Sequence, residues 1–254
     1  MGQASMQEVE YKASPSPHVV IKNFLPVPAS RDCLAEAQSL QSAFADAQVR
    51  GQPEDPECCP ECKDKTALIR KGIRQNKVVY MDDYYWERRL ESKILQHLEL
   101  ALTDTVFEET FSSFPSLFPI ALQTTHMETV LSSYGMCDFY GWHKDAFPLN
   151  AAPTTRVITC VLHWNTEPKQ YDGGELILTG DTIADQIAYP PVNNTAIFFQ
   201  SNKCIHAVDA TVFEGDFKDS RFSINLWLGF DVRGEFGSSP RGESYPRGMP
   251  HKYR

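Results

Sequence analysis

The chain has 254 residues, 42% of them apolar and 22% charged, the proportions of a soluble globular protein with room for one substantial core. Its formal net charge of −9 argues against a nucleic-acid partner, because phosphate binding needs a concentrated basic surface. No apolar run reaches the roughly 18 residues of a membrane span, and the first residues lack the charged head and apolar stretch of an export signal, so no membrane partner is expected.

Residues 1–17 are polar, with Ser and Pro at 14–17, and read as a disordered N-terminal stretch. His18 to Phe24 reads as a strand, closed by Leu25-Pro26. Ser30 then caps a helix expected over about 31–48, where Leu34, Ala37, Leu40 and Phe44 recur at three- and four-residue spacing. Gly51 to Pro60 is a turn-rich loop, and the basic residues Arg70, Lys71 and Arg74, with Lys77 behind them, read as a solvated helix face. A second helix is expected over about 83–106, with Trp86, Leu90, Ile94, Leu98 and Leu102 on one side. Residues 18–120 thus form a strand-and-helix support region.

Four of the seven cysteines, Cys33, Cys137, Cys160 and Cys204, are scattered singly, the usage of a reducing compartment, and the cytoplasm is the expected location. Cys58, Cys59 and Cys62 contain one Cys-x-x-Cys pair. No second pair follows at zinc spacing, so an exposed loop with incidental thiols is expected unless Cys33 or His97 comes near.

From about residue 121 the pattern changes to short Val-, Ile-, Thr- and aromatic-rich segments at 121–132, 138–143, 156–164, 174–179, 195–199, 205–212 and 221–230. Gly, Pro, Asn and Asp clusters separate them, which predicts an antiparallel sandwich or jelly roll over 121–231. The tail 232–254, rich in Gly, Pro and Arg, reads as a surface arm or disorder. The fold class is therefore α+β, mainly β.

The chemistry concentrates in Tyr140-Gly-Trp142-His143-Lys-Asp145, followed 61 residues later by Cys204-Ile-His206. A His and an Asp two positions apart near a strand end can face the same way. A distant His on a neighbouring strand completes two imidazoles and one carboxylate on one face of an octahedron. That leaves the other face open, as suits iron(II) that must also hold a co-substrate and dioxygen. Fifteen residues on, Arg221, Ser223, Asn225 and Trp227 alternate with Phe222, Ile224 and Leu226. A cationic face on so apolar a strand is costly to bury without a partner, and an anionic ligand inside a barrel supplies one. Thr159, Val161 and His163 share a face of the preceding long strand, and Gly173-Gly174 provides a tight turn.

Together, Tyr134, Tyr140-x-x-His143-x-Asp145, Arg156-x-x-Thr159-Cys160, Asn165, Gly173-Gly174-x-Leu176, His206-x-Val208 and Arg221-x-Ser223-x-Asn225-x-Trp227 resemble the prolyl 4-hydroxylase-like branch of the Fe(II)/2-oxoglutarate-dependent oxygenases, over about 122–230. The resemblance implies a double-stranded β-helix, a distorted jelly roll, supported by N-terminal helices. It implies His143, Asp145 and His206 as iron ligands and Arg221 on the distal carboxylate of 2-oxoglutarate, with Ser223 or His163 assisting. His163 stands where the hypoxia-sensing prolyl hydroxylases have a tyrosine. Tyr134 falls near the metal-chelating end of the co-substrate, Thr159 beside it, and Leu176, Val208 and Trp227 along its walls. Tyr140, Trp142, Asn225 and Trp227 are expected in the substrate pocket, and no side chain beyond the metal centre is assigned a catalytic step. An insertion around Glu214 to Asp219 lengthens the usual spacing between His206 and Arg221.

The implied reaction couples decarboxylation of 2-oxoglutarate by dioxygen to oxidation of a C–H bond, with ascorbate as a supporting reductant. Asp145 stands where the family's halogenating members carry a small residue, so hydroxylation is favoured, with desaturation or oxidative cyclisation as variants. The expected substrate is a small molecule such as an amino acid or secondary metabolite. The rivals are a peptidyl-prolyl hydroxylase acting on a protein and a non-catalytic jelly-roll binding module. Segments 75–86 and 146–155 are where the two enzymes are expected to differ.

Overall fold

The computed structural model describes residues 7–47, 73–103, 124–146, 154–180, 182, 184–231 and 245–246. Its strands in chain order are β1 (Glu8–Lys12), β2 (His18–Lys22), β3 (Ala45–Asp46), β4 (Arg74–Gln75), β5 (Lys77–Tyr80), β6 (His126–Tyr134), β7 (Phe139–His143) and β8 (Thr154–Trp164). They continue as β9 (Asp172–Gly173), β10 (Leu176–Thr179), β11 (Gln186–Tyr189), β12 (Thr195–Gln200), β13 (Ile205–Val208), β14 (Thr211–Val212), β15 (Arg221–Asp231) and β16 (Tyr245–Pro246). The helices are α1 (Val27–Ser39), α2 (Met81–Tyr84) and α3 (Lys93–Ala101).

The large antiparallel sheet runs β1-β2-β12-β8-β15-β6-β5-β3, with β16 also on β6, and the small sheet runs β11-β10-β13-β7-β4. Strands β6, β7 and β8 alternate between the sheets, as do β12, β13 and β15, with β14 pairing β9 in a separate two-stranded sheet, and this is the winding of a jelly roll. The mainly β architecture expected from the sequence is the one observed.

The large sheet separates two cores. On its outer face Ile21, Phe198, Leu162, Phe222, Ile224 and Leu226 pack under Cys33 and Ala37 of α1 and Ile94, Leu95 and Leu98 of α3, all buried. This apolar surface is the main drive for folding. On the inner face Val20, Ile197, Phe199, Val161 and Tyr134 meet Leu176, Leu178 and Val208 of the small sheet. Period-two alternation along 158–164 of β8 and 221–226 of β15 separates the two faces.

The support region departs from its sequence reading in four places. Glu8–Lys12, inside the stretch read as disordered, pairs antiparallel with β2 from Glu8↔Lys22 to Lys12↔His18. Helix α1 runs from Val27 to Ser39 and not to 48, the chain reaching strand β3 at Ala45; Pro28 is in its first turn, and Ser30 lies within it as a backbone donor to Pro26. Proline suits that turn because its ring presets φ and its missing N–H would have had no partner there. The single helix expected over 83–106 is broken. Ser92 takes an extended conformation and caps α3 by accepting from the Leu95 amide at 3.1 Å. Before it, Arg89 turns inward to Asp82 and Glu99, both at 2.7 Å, which leaves Leu90 60% exposed. Asp82 also accepts from the Thr129 amide, one residue past the end of β5 pairing. Finally, Arg74 and Lys77 lie on strands, not on a helix face. Arg70, Lys71, Cys58, Cys59, Cys62 and most of 146–155 lie outside the described residues. Among those described, no helix is long and apolar enough to cross a membrane.

Candidate functional site

His143 ends β7, Asp145 follows it, and His206 lies on β13, directly opposite His143 in the register of the small sheet. Nε2 of His143 lies 3.5 Å from Asp145 Oδ1, and Nε2 of His206 lies 3.3 Å from Asp145 Oδ2. The three ligand atoms all lie within 4.8 Å of one another. Three donors on adjacent corners of an octahedron with bonds of about 2.1 Å stand about 3 Å apart, so the set needs little adjustment to hold an ion.

Each donor is fixed from behind. His143 Nδ1 donates to the Gly141 carbonyl at 2.8 Å and His206 Nδ1 to the Cys204 carbonyl at 3.4 Å, which leaves Nε2 of both rings as the ligand atom. Asp145 Oδ2 accepts from the Thr159 hydroxyl at 2.9 Å, and that hydroxyl lies 2.9 Å from Ser201 Oγ. Burial raises the Asp145 carboxyl, but the two imidazoles against it hold it well below the usual range. Burial, then His206, lowers His143, which favours the neutral ring a metal requires.

A bulge in β7 builds the next layer. His143 faces His206 and Tyr140 faces Val208, so β7 carries one residue more than β13 between these pairs. The extra residue turns Tyr140 onto the same side as His143, where the rings stack at 3.6 Å and 16°. Trp142 is turned the other way and is 39% exposed, so the structure does not bring it into the cluster where it was expected.

The second half of the site lies on the inner face of the large sheet. Arg221 is fully buried at the start of β15, paired in register with Tyr134, and its guanidinium lies 4.6 Å over that ring. Nε donates to the Gly174 carbonyl at 2.7 Å and Nη1 to Ser223 Oγ at 3.2 Å, while Nη2 has no partner among the described residues. Gly174 is needed twice over. Its φ is +75°, and a Cβ there would lie 2.6 Å from Arg221 Cδ.

Other buried groups in this part of the barrel also lack partners among the described residues: both ring nitrogens of His163, the Tyr171 hydroxyl and the Thr195 hydroxyl. His163 is the cross-strand neighbour of Ser223 and of Thr195. Burial and then Arg221 push His163 well below its ordinary value, so the imidazole is neutral. Tyr171, 3% exposed and close enough to bear on Arg221, is pushed up to about 12 by burial. Unsatisfied buried donors are rare and costly, and several around one cation match the carboxylate of a ligand.

Most residues expected at the site are therefore brought together. Leu176 and Val208 line the inner core beside Tyr134, while Asn225 donates to Ser132 at 3.0 Å. Trp227, opposite Thr159, packs on Ala47, Val78 and Val130 and carries the Arg156 guanidinium 3.7 Å over its ring. Arg156 is itself paired to Glu128 at 2.7 Å. Sequence reasoning missed Tyr171, Ser201 and Arg74. Tyr171 immediately precedes Asp172-Gly173-Gly174, so its nearness to the turn that cradles Arg221 was the available signal.

Comparison with known proteins bears on the same residues. Residues 129–229 match the 2OG-Fe(II) oxygenase superfamily. An uncharacterized PKHD-type hydroxylase of Synechocystis sp. is 26% identical over 231 residues, 87% of this chain and 66% of its own length, so the chain spans just under two thirds of that relative. A prolyl-4-hydroxylase of Pseudomonas putida superposes with a TM-score of 0.57 at 19% identity, covering 84% of this chain and 92% of the other. A prolyl hydroxylase of Trichoplax adhaerens, in complex with a hypoxia inducible factor peptide fragment, gives 0.56 at 18% identity, covering 85% and 84%. The structural likeness is one of fold, a double-stranded β-helix. The resemblance read from the sequence recurs in these matches, with residues 129–229 similar to the 2OG-Fe(II) oxygenase superfamily. The iron, 2-oxoglutarate and dioxygen that the family implies fit the residues present. The His-Asp-His set offers the donors, and the open Arg221 Nη2 with the His163 and Tyr171 donors offers a place for a carboxylate.

Proposed function

We propose that this chain, with a core of the 2OG-Fe(II) oxygenase kind, is an Fe(II)- and 2-oxoglutarate-dependent dioxygenase that hydroxylates a C–H bond of a small molecule, such as an amino acid or secondary metabolite. Desaturation and oxidative cyclisation of the same bond type are variants of this reading. The observation that carries it is the pairing of two half-sites across one inner core. His143, Asp145 and His206 on the small-sheet side form a donor set, and Arg221 on the large sheet has an unpartnered, fully buried Nη2. Bound iron supplies the redox chemistry, coupling decarboxylation of 2-oxoglutarate by dioxygen to substrate oxidation with release of succinate and carbon dioxide.

The chain's own residues do the positioning. The Gly141 carbonyl and Thr159 hydroxyl fix the ligand tautomer and the carboxylate orientation. Arg221 takes the distal carboxylate through Nη2, with His163 and Tyr171 as neutral donors. Tyr134, Val161, Phe199, Leu176 and Val208 exclude water between the two half-sites. Three buried, unpaired thiols, Cys33, Cys160 and Cys204, support a reducing, cytoplasmic setting.

A second reading, hydroxylation of prolyl residues in a protein, draws on the similarity to prolyl hydroxylases. The test is succinate formation from 2-oxoglutarate with iron(II) and ascorbate, first with a metabolite pool and then with proline-rich peptides. Stimulation by metabolites supports the first reading and stimulation by peptides the second. His143→Ala is expected to abolish either. Iron-dependent turnover absent with every pool would contradict the enzyme and leave a binding module.

A further inference from the structure

Arg74, half-buried, stands beside the metal set. It lies on β4, the edge strand of the small sheet, in register with Tyr140. The strand is clamped there: the Gly141 amide donates to the Ile73 carbonyl at 2.7 Å, and a Cβ at Gly141 would stand 3.1 Å from that oxygen. The Arg74 guanidinium lies 4.4 Å over the Tyr140 ring, which also stacks at 3.6 Å on His143. Taken end to end, these two steps put the cation no more than about 8 Å from the His143 ring.

Three observations make this arginine unlike its neighbours. Its side chain has one polar partner among the described residues, the Asn76 amide oxygen at 2.7 Å, and no carboxylate. Arg156, which also bears on Tyr140, is neutralised by Glu128, and Arg221 is engaged by Gly174 and Ser223 deep in the barrel. The charge of Arg74 also acts inward. Burial raises the Tyr134 phenol, and Arg74 and then Arg221 pull it back, so both guanidiniums bear on the same buried ring. Stacking holds a guanidinium by its face and leaves its N–H edge for a planar anion.

We propose that Arg74 binds a carboxylate of the substrate, so that this site oxidises an anionic small molecule, with Arg221 serving the co-substrate. The assignment rests on the proposed oxygenase function. Arg74 fixes the substrate's acid group beside the open face of the metal set, and the Tyr140 hydroxyl is a neutral second donor there. An uncharged analogue leaves Arg74 with only Asn76 as partner and binds more weakly.

The experiment uses the full chain loaded with iron(II) without oxygen. The visible charge-transfer absorption that appears when 2-oxoglutarate chelates iron(II) first reports whether the co-substrate site works. Failure of that band sinks the oxygenase reading itself. With the band present, binding of free L-amino acids and simple carboxylic acids, and of their primary amides, is followed by ligand-observed NMR on the manganese(II)-loaded protein. At least one free acid is expected to bind at least about tenfold tighter than its amide. Arg74→Gln and Arg74→Ala should erase that difference, and Arg74→Lys should restore part of it. The charge-transfer titration and thermal midpoint should stay unchanged in all three. The proposal is overturned if no free acid binds, if amides bind as well as acids, or if the Arg74 variants keep the preference. It is also overturned if the variants weaken 2-oxoglutarate binding, which would make Arg74 a co-substrate residue.

Discussion

The two faces of the β8–β15 pair come from the same two eleven-residue strands, yet they are built on opposite terms. Outward, Leu162, Trp164, Phe222, Ile224 and Leu226 are wholly buried against apolar neighbours. Inward, beside Val161, the intervening positions include Thr159, His163, Arg221 and Ser223, equally buried but polar, with Arg221 Nη2 and both His163 nitrogens unpartnered among the described residues. Burial is alike on the two faces, so the difference lies in polar content: outward only Trp164 Nε1 is an unpartnered polar atom among these residues, whereas inward a cation and an imidazole carry three. The outer face stabilises the fold, and the inner face holds binding capacity that the fold leaves unspent.

That division makes substitutions on adjacent residues separable. Ile224→Ala removes three carbons from the outer core and is expected to lower unfolding free energy by about 3 kcal/mol in urea titration, with 2-oxoglutarate affinity unchanged in the folded protein. An affinity loss as large as the stability loss would break the comparison. Arg221→Met should do the reverse. Affinity for 2-oxoglutarate, read by charge-transfer titration, should fall by roughly a hundredfold. Stability should move by less than about 2 kcal/mol, because lost bonds to Gly174 and Ser223 are offset by removal of a buried cation.

Tyr171→Phe should weaken 2-oxoglutarate by about tenfold in the same titration, since its buried hydroxyl has no partner among the described residues, and should leave the thermal midpoint nearly unchanged. The smallest effect concerns pH. His163 is held neutral when folded, whereas in the unfolded chain it takes a proton near its ordinary value of about 6.5. The folded state therefore binds fewer protons, and stability falls as pH drops below about 6.5. His163→Phe should shrink the fall in thermal midpoint of the metal-free protein between pH 7 and 5. An identical fall in both proteins would show that the ring is not held neutral.

The inner face was readable because strand alternation is strict: Arg221, Ser223 and Asn225 could be set against Phe222, Ile224 and Leu226 from sequence alone. The metal set was readable from His143-x-Asp145 and a distant histidine, and the Gly-Gly turn from its need for positive φ. What escaped depends on partners far away in the chain. The bulge that turns Tyr140 onto His143 and Trp142 away from it is a mismatch between two strands, and neither strand records it alone. The break before α3 follows from Arg89 reaching Asp82 and Glu99, which helical periodicity cannot report. Arg74 looked like one of several basic surface residues until β4 pairing placed it over Tyr140.

The central claim is that one inner core joins a metal set to a carboxylate anchor. An anaerobic crystal structure with iron(II) and 2-oxoglutarate tests it most directly. The account predicts iron on His143 Nε2, Asp145 and His206 Nε2, and the distal carboxylate on Arg221 within hydrogen-bond reach of His163 or Tyr171. Iron held by other residues, or a co-substrate whose far end leaves Arg221 Nη2 unpartnered, would contradict it.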